Sequence, residues 1–284
     1  MASFSDSNYS SDLYSDFRPS YPLELYQKLL DFHQGPRSLV VDLGCGPGTA
    51  TIPLSKYFDH AIGVDPSANM IKTATDNAHA KSVCNIQFIQ SMGESVDELT
   101  EPGTVDMIVA PQSVHWFKHD QWFQNCAKSL RVGGTLAYFG YVDHQYKDCP
   151  RANEIIEEFS YGKSKLGPYW EPGRKFLRNL LREVNPPPNL YGNIQREQFI
   201  PGIDADDKCL ISKTMTVAAN RQYVYTWSSL HNYFKEHSEV SLDKGGSGDI
   251  VDQLFQQFHR ELHWTDRTVV NVMWKHIIVL ARKL

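Results

Sequence analysis

One short stretch constrains the fold of this chain more than any other: an apolar segment that runs into three alternating glycines. Leu39–Val41 is apolar and mostly β-branched, which is typical of a buried strand. Asp42 follows, and then Gly44, Gly46 and Gly48. Glycine adopts positive φ angles without strain and lets backbone amides approach a ligand closely. A helix that begins here points its N-terminal amides back at the turn, so the pattern predicts a strand–turn–helix unit with a ligand site at the turn.

Two acidic residues distinguish this turn from a dinucleotide-binding site. The spacing is D-x-G-x-G-x-G, whereas the dinucleotide fingerprint is G-x-G-x-x-G. A carboxylate at Asp42 would repel a pyrophosphate but suits a cationic amino group. The next apolar segment, 61–64, ends in Asp65, whose carboxylate can accept hydrogen bonds from both ribose hydroxyls. The two acids therefore predict a nucleoside with an amino-acid tail as the ligand.

Strand and helix patterns alternate as far as residue 141, which predicts βαβ units and a parallel sheet. The predicted fold is α/β: a Rossmann-like, mostly parallel seven-stranded sheet with helices on both faces and a helical cap insertion. In the C-terminal part, the apolar spacing predicts one amphipathic helix over 222–236. The chain is predicted to form a single domain in four parts: an N-terminal lid and helix (1–32), a cofactor-binding core (37–141), a cap insertion (142–189), and C-terminal strands and helices (190–284).

These features resemble the class I S-adenosylmethionine-dependent methyltransferases. The likeness rests on the first strand, the glycine turn, the acid after the second strand, and a fourth strand at 105–110. It implies S-adenosylmethionine as the methyl donor and S-adenosylhomocysteine as the product. It also implies donor contacts from Asp42, Gly44, Gly46, Asp65 and Met70. Further donor contacts are predicted for Tyr14, Arg18, Cys45, Ser91, Met92 and Gln112.

Longer motifs extend the resemblance over nearly the whole chain. R-P-S-Y-P, S-V-H-W-F, L-G-P-Y-W-E-P-G-R and T-W-S-S-L-H look like the fungal trans-aconitate 3-methyltransferases and, more loosely, the related methyltransferases linked to cantharidin resistance. The likeness implies an O-methyltransferase that forms a monomethyl ester on a small polycarboxylic acid, with trans-aconitate as the first choice. Substrate contacts are predicted for Tyr21, His115, Trp116, Tyr141, Tyr169, Trp170, Arg174, Trp227 and His231.

His115 and Trp116 follow the fourth strand and are the predicted catalytic pair. Site residues concentrate at the carboxyl ends of strands in open α/β sheets. A histidine there can act as a general base or orient a carboxylate acceptor. The alternative is a histidine bonded to the backbone, beside a tryptophan that fills the core. His115 and His119 have i, i+4 spacing but no third ligand, so no metal site is predicted.

Two other regions have a functional and a purely structural interpretation. The N-terminal arm is either packed on the domain surface or a lid that turns Tyr14, Arg18 and Tyr21 towards the site. The aromatic clusters around Trp170 and Trp227 either form a pocket for a small anion or fill a core beneath the cap, with arginines at its solvent rim.

Composition narrows the partners and the compartment. The formal net charge is −5, so no basic field is available to collect phosphates, and nucleic acid is not the predicted partner. Five widely spaced cysteines predict reduced thiols in an intracellular compartment. The N-terminus has no apolar signal-peptide core, and no run is long enough to span a bilayer. We expect a cytoplasmic monomer that acts on a small-molecule carboxylate, away from membranes.

Two alternative functions fit the same residues. The acceptor could be a xenobiotic, either an opened cantharidin-type diacid or a phenol, and a phenol would need a general base. The chain could also bind the donor without turnover and work through a partner, since an intact donor site does not prove catalysis.

Overall fold

Residues 17–237 and 249–284 are described by a computed structural model of the chain. They form two compact units, each built from several chain segments. The first, named the sheet unit, consists of 20–142, 175–200 and 276–284. The second, named the helical unit, contains 17–19, 143–174 and the described residues of 201–275. The segment predicted as a cap, 142–189, is therefore divided at residue 174, and the helical unit draws most of its length from beyond it.

The predicted α/β class is confirmed, with eight described strands instead of the predicted seven. The seven strands of the main path lie in the order β3-β2-β1-β4-β5-β8-β6, and β7 pairs with β8. The strands are β1 (Leu39–Leu43), β2 (His60–Asp65), β3 (Ile86–Gln90), β4 (Val105–Pro111), β5 (Leu130–Tyr146), β6 (Tyr191–Phe199), β7 (Ser212–Thr216) and β8 (Val269–Lys283).

Strand direction creates a ligand-binding crevice in the sheet unit. β1 pairs in parallel with β2 and β4, β2 pairs in parallel with β3, and β4 pairs in parallel with β5. β6 and β7 each pair with β8 in the antiparallel direction. Because β2 and β3 lie on one side of β1 while β4 lies on the other, the carboxyl ends of β1 and β4 form the switch point where open α/β sheets bind ligands.

Ten α-helices are described, several of them short. They are α1 (Leu23–Phe32), α2 (Thr51–Leu54), α3 (Ala68–Ala80), α4 (Val96–Leu99), α5 (His119–Ser129), α6 (Pro150–Tyr161), α7 (Arg174–Arg178), α8 (Val217–Tyr225), α9 (Ser228–Glu236) and α10 (Ile250–Leu262). None of the helices in the described ranges is long and apolar enough to cross a membrane.

The core of the sheet unit centres on β4, which is buried along its whole length. Helix α5 places Trp122 and Phe123 against Tyr138 of β5, with ring centroids 5.6 and 6.1 Å from that ring. Tyr191 joins the cluster and donates its hydroxyl to the Phe123 carbonyl at 2.7 Å. Packed aromatic rings of this size contribute much of a domain's hydrophobic stability, so the strand ends that carry the site are held on a rigid support.

The helical unit has an aromatic core of its own, arranged around His144. The rings of Tyr146, Tyr223, Trp227 and Trp274 lie 5.1, 5.2, 6.1 and 6.0 Å from the His144 ring, centroid to centroid. His144 is completely buried, and this burial lowers its pKa to about 4. The imidazole is therefore a neutral member of the core at physiological pH.

The single helix predicted over 222–236 is wrong, because the chain breaks there into α8 and α9. Trp227 between them is extended, with φ −77° and ψ 137°, and only 2% exposed. The Thr226 hydroxyl donates to the Tyr223 carbonyl at 2.6 Å, which satisfies an acceptor at the end of α8. The apolar period continues through the break, so periodicity alone could not locate it.

Candidate functional site

The glycine turn after β1 is shaped by one glycine that packs and one that leaves open space. Gly44 has φ +73°, and a Cβ on it would lie 2.4 Å from Cβ of Ser113. Its amide and that of Cys45 donate to the Val64 carbonyl at 2.7 and 3.0 Å. Gly46 has φ +53°, and a Cβ on it would meet no atom within 4 Å. Gly46 therefore borders the space where a ligand can approach the backbone.

Asp42, at the end of β1, is a buried carboxyl that is only half satisfied. It is 1% exposed, and its Oδ2 accepts from the Thr51 hydroxyl at 2.6 Å. Its Oδ1 has no hydrogen-bond partner among the described residues. Burial raises its pKa to about 7, and nearby Asp65 adds to the rise while the Thr51 hydrogen bond opposes it. A buried, unpaired carboxyl oxygen is costly, so its presence beside the turn indicates a ligand group with a positive charge or a donor hydrogen.

Asp65 closes the other side of the turn. Its Oδ2 accepts from the Gly46 amide at 3.0 Å, and its Oδ1 accepts from the Ser67 amide at 2.9 Å. Burial raises the pKa of Asp65, and these two amides oppose the rise. The carboxylate is thus fixed at the carboxyl end of β2 by the turn on one side and the start of α3 on the other.

Four further residues predicted to contact the donor lie around this turn. Cys45 is 5% exposed, and its Sγ lies 3.1 Å from where a Cβ on Gly63 would stand. Met70 is buried in the first turn of α3, where its amide donates to Ser67 Oγ at 3.4 Å. The Ser91 amide donates to the Asp65 carbonyl at 3.2 Å. Met92 is 55% exposed.

Gln112 links the carboxyl ends of β4 and β5. Its Nε2 donates to the Tyr141 carbonyl at 2.9 Å, and its Oε1 accepts from the Tyr141 amide at 2.8 Å. Its backbone has φ +55°, which is uncommon for a residue with a side chain. Next to it, the Ser113 hydroxyl donates to the Leu43 carbonyl at 2.6 Å and so connects the ends of β4 and β1. Because the side-chain amide of Gln112 is bonded to the backbone of Tyr141, Gln112 can shape a donor site only through its own backbone and the bend at this residue.

His115 and Trp116 lie in a short 3-10 helix, Val114–Trp116, directly after this bend. His115 is 6% exposed, and its ring centroid lies 4.5 Å from that of Trp116. Tyr21 packs edge-on against Phe139 of β5 at 5.0 Å. The carboxyl edge of the sheet therefore carries a histidine and several aromatic rings close to the glycine turn.

The helical unit holds a second polar group, centred on Arg174. Its Nη2 donates to Asp143 Oδ1, and the Tyr161 hydroxyl donates to Asp143 Oδ2 at 2.5 Å. The guanidinium carbon lies 4.3 Å from the centroid of the Trp170 ring. Arg18 belongs to the same unit, where it donates to the Thr226 carbonyl at 2.7 Å and lies 5.6 Å from the centroid of the Tyr223 ring.

The other predicted substrate residues of the helical unit are largely occupied by structural contacts. The Tyr169 hydroxyl shares a 2.8 Å hydrogen bond with His237 Nε2. Trp227 packs 5.8 Å from Trp170 inside the core, and His231 is half-buried in α9. Tyr14 lies outside the described residues.

Sequence reasoning missed the residues that hold the predicted ones in place. Thr51 positions Asp42, Ser113 requires glycine at 44, and Asp143 with Tyr161 positions Arg174. A threonine in the first turn after a glycine motif was a usable signal for Thr51, since hydroxyls near helix starts commonly bond neighbouring polar groups. The sequence around Asp143 carries no comparable signal. Within the described ranges, no three His, Cys, Asp or Glu side chains converge to hold a metal ion.

The residues at the turn fit a donor that has a nucleoside and a cationic amino-acid tail. The open side of Gly46 gives room for backbone approach, and the unpaired Asp42 oxygen suits a cationic group. Asp65 sits where a carboxylate can accept from ribose hydroxyls, once its present amide partners share it.

Comparison with known proteins agrees with this geometry. Residues 40–134 match a protein family described as a methyltransferase domain. A Saccharomyces cerevisiae protein named a probable S-adenosylmethionine-dependent methyltransferase, CRG1, is 29% identical over 299 aligned residues that cover 99% of this chain and 98% of that protein. The chain therefore carries a methyltransferase domain and is similar over nearly its whole length to an S-adenosylmethionine-dependent methyltransferase, in agreement with the class I resemblance. S-adenosylmethionine is accordingly its methyl donor and S-adenosylhomocysteine its product, as the resemblance implied.

Solved structures give the same fold. A protein of Anaeromyxobacter dehalogenans described as a type II methyltransferase has a TM-score of 0.70 at 21% identity, covering 94% of this chain and 98% of that chain. A phosphoethanolamine N-methyltransferase 2 of Haemonchus contortus, solved with S-adenosylhomocysteine, has a TM-score of 0.51 at 15% identity and covers 100% of this chain and 60% of that chain. At these identities the likeness establishes the Rossmann-like fold and leaves the acceptor open.

Proposed function

We propose that this methyltransferase acts on a carboxylate oxygen of a small polycarboxylic acid and forms a monomethyl ester, with trans-aconitate as the leading acceptor. One observation carries the acceptor class. Two guanidinium groups of the helical unit lie against aromatic rings: that of Arg18 is 5.6 Å from the centroid of the Tyr223 ring, and that of Arg174 is 4.3 Å from the centroid of the Trp170 ring. Arginine forks recognise carboxylates with defined geometry.

In this proposal the donor is held by the glycine turn of the sheet unit. The buried Asp42 accepts from the cationic tail, Asp65 accepts from the ribose, and the open face of Gly46 allows close approach. When bound, S-adenosylmethionine supplies a methyl group on a sulfonium, so a carboxylate oxygen forms the new bond to carbon as the carbon–sulfur bond breaks and its electron pair stays on sulfur. The chain's residues then act by orientation and exclusion of water, because a carboxylate nucleophile needs no proton removed.

His115 and Trp116 are the proposed catalytic pair of the sheet unit. They follow β4 at the switch point, and both rings are at least half-buried. With an acid acceptor they shape the pocket and orient the carboxylate. With a phenol acceptor, His115 would instead take the hydroxyl proton, and the rate would rise with pH through the histidine pKa. The burial of His115 at a strand end keeps this second candidate function open, including xenobiotic acceptors.

The test is methyl transfer from labelled donor to a panel of acceptors, read by mass spectrometry. The panel holds trans-aconitate, cis-aconitate, citrate, isopropylmalate, an opened cantharidin-type diacid and a simple phenol. A monomethyl ester of one or two of the acids is the expected result. Product from the phenol alone would contradict the proposal and favour the second candidate. Tight donor binding without any product would contradict both and favour a donor-binding protein that works through a partner.

Arg174→Ala examines the acceptor site, with Arg267→Ala as the matched control. Arg267 is an exposed arginine of the same unit. We expect Arg174→Ala to raise the KM for the acid at least tenfold, in line with the loss of a charged hydrogen bond of about 1.5–3 kcal/mol. Arg267→Ala should leave the KM unchanged. Equal KM values for Arg174→Ala and the unmodified enzyme would remove Arg174 from the site.

A further inference from the structure

The charge on Arg174 is already compensated inside the helical unit. Its Nη2 donates to the Asp143 carboxylate, and its Nε and Nη2 both lie 3.3 Å from the Tyr161 hydroxyl oxygen. Tyr161 in turn donates to the second oxygen of Asp143 at 2.5 Å. The side chains of Arg174 and Asp143 are only 13% and 17% exposed. A guanidinium and a carboxylate are thus fixed as a closed, largely buried pair.

Such a pair contributes little to stability by itself. Taking two charges out of water costs several kcal/mol per ion, and their attraction returns that cost only with good geometry. Retention of a buried pair among aromatic rings therefore calls for a second role. Here the Arg174 guanidinium lies over the face of Trp170, and the Trp170 ring is within 25° of parallel to the Tyr161 ring, with the ring centroids 5.9 Å apart. The rings hold the guanidinium plane in one orientation.

One edge of the guanidinium remains available. Every hydrogen bond that the Arg174 side chain makes to the described residues comes from Nε or Nη2, and Nη1 makes none. A guanidinium presents five donors in a planar fork, so Nη1 can still bind an acceptor oxygen. Because Asp143 cancels the positive charge, this edge offers directed hydrogen bonds with little net Coulomb attraction.

We propose that Asp143 is a specificity-determining residue, which orients Arg174 to bind one acceptor oxygen through Nη1 and weakens the attraction of Arg174 for the additional carboxylates of the acid. This inference rests on the proposed function, since it assumes a small acid as the acceptor. Arg174 orients the acceptor through a directed hydrogen bond, and Asp143 determines how strongly Arg174 attracts a further carboxylate of the acid. The enzyme thereby separates acids by charge as well as by size.

The experiment compares Asp143→Asn with the unmodified enzyme. Asparagine keeps an oxygen that can accept from Arg174 and removes the negative charge, while its amide nitrogen replaces the oxygen that accepts from Tyr161. The readouts are kcat/KM for acids of increasing charge, and equilibrium binding of unreactive tricarballylate with S-adenosylhomocysteine present, followed by tryptophan fluorescence. We expect Asp143→Asn to bind tricarballylate about tenfold more tightly, from one unit charge removed at a separation of about 7 Å in an effective dielectric of about 20–40. The kcat/KM preference should move towards the more highly charged acid.

Two further variants distinguish an effect of the Asp143 charge from a change in folding. Arg174→Gln leaves Asp143 without its cation, so tricarballylate binding should weaken by at least tenfold. In the double variant Asp143→Asn with Arg174→Gln, part of that loss should be recovered, because the uncompensated carboxylate is gone. Arg267→Ala should match the unmodified enzyme throughout.

The outcomes separate this inference from the proposed function. If acids are methylated but Asp143→Asn leaves both tricarballylate binding and the charge preference unchanged while folded, the role of Asp143 is structural and the inference is overturned. Absence of tricarballylate binding to the unmodified enzyme would overturn it as well. If no acid is methylated yet tricarballylate binds and Asp143→Asn tightens it, the charge role of Asp143 holds and only the proposed reaction fails.

Discussion

The pH dependence of donor binding follows directly from the geometry around Asp42. This carboxyl is 1% exposed, one oxygen accepts from Thr51, and the other has no partner in the described part of the chain. Burial raises its pKa to about 7. About half of the donor-free molecules therefore carry a proton on Asp42 at neutral pH. A cationic donor tail favours the ionised carboxyl, so binding displaces that proton.

The direction and size of the pH effect on the donor Kd follow from the thermodynamic linkage between proton release from Asp42 and donor binding. With a pKa of about 7 in the donor-free protein, the affinity for donor falls as the pH decreases through that value. Well below that pH one proton is displaced per donor bound, so Kd rises about tenfold per pH unit: relative to pH 8 it is roughly tenfold higher at pH 6 and roughly a hundredfold higher at pH 5. The dependence ends only where the pH reaches the pKa of Asp42 in the complex.

Isothermal titration calorimetry with S-adenosylmethionine measures both quantities. Titrations in two buffers of different ionisation enthalpy give the number of protons released with the Kd. We expect about half a proton to be released near pH 7 and nearly one proton at pH 5.5. S-adenosylhomocysteine keeps the amino group and lacks the sulfonium charge, so it should show the same midpoint if the amino group is the partner of Asp42.

Three variants assign the effect to Asp42. Asp42→Asn should bind the donor weakly and without this pH dependence. Thr51→Val removes the hydrogen bond that opposes the raised pKa, so the midpoint should move to higher pH. Thr100→Val makes the same chemical change where the hydroxyl donates to the Val96 carbonyl at 3.0 Å, and it should behave as the unmodified enzyme. A Kd that varies less than about twofold from pH 5.5 to 8, or a full slope in Asp42→Asn, would refute the reasoning.

Three other predictions concern packing and stability. Gly46→Ala should weaken donor binding and lower the free energy of unfolding by only about 1 kcal/mol, because its Cβ would meet no atom within 4 Å and the main cost is its φ of +53°. Gly44→Ala should have a clearly lower Tm, because its Cβ would collide with Ser113. Equal Tm values for the two variants would contradict this prediction. Asp42→Asn should raise the Tm of the donor-free protein at about pH 8, where the folded state otherwise holds a buried carboxylate with a raised pKa, and a lowered Tm would be the contrary result. The pKa of His144 falls from 6.5 to about 4 on folding, so the free energy of unfolding measured by urea titration should decrease by about 2 kcal/mol between pH 7 and pH 5. His144→Phe should not show this decrease. An identical decrease in the variant would mean that another group causes it.

Much of the donor site could be predicted because it is local in sequence. An apolar strand, alternating glycines and a following helix fix the turn, and each glycine's freedom in φ is a property of that residue. Asp42 and Asp65 end adjacent parallel strands, β1 and β2, so their meeting at one sheet edge followed from the alternation of strands and helices. The fold class, the family and the methyl donor were accessible from the sequence for the same reason.

The state of those residues was decided only by the tertiary structure. The sequence indicated that Asp42 is acidic, but its burial, its bond to Thr51 and its raised pKa depend on how α2 folds back onto β1. Gln112 is predicted from the sequence as a donor contact, and only the fold shows that its side-chain amide also joins β4 to β5 through the backbone of Tyr141. Periodicity predicted one helix where Trp227 interrupts two, because a buried extended tryptophan leaves the apolar spacing unchanged.

Arg174 illustrates the limit most clearly. Sequence reasoning identified it as a cation for a carboxylate acceptor, and its position in an aromatic cluster agrees with the structure. Its charge, however, is compensated by Asp143, which lies 31 residues earlier in the chain. Pattern and propensity describe what a residue type can do, while net charge, solvation and the remaining hydrogen-bond donors depend on neighbours brought together by folding. The sequence therefore indicated the methyltransferase resemblance and the donor, and the tertiary structure decided the electrostatics at both Asp42 and Arg174.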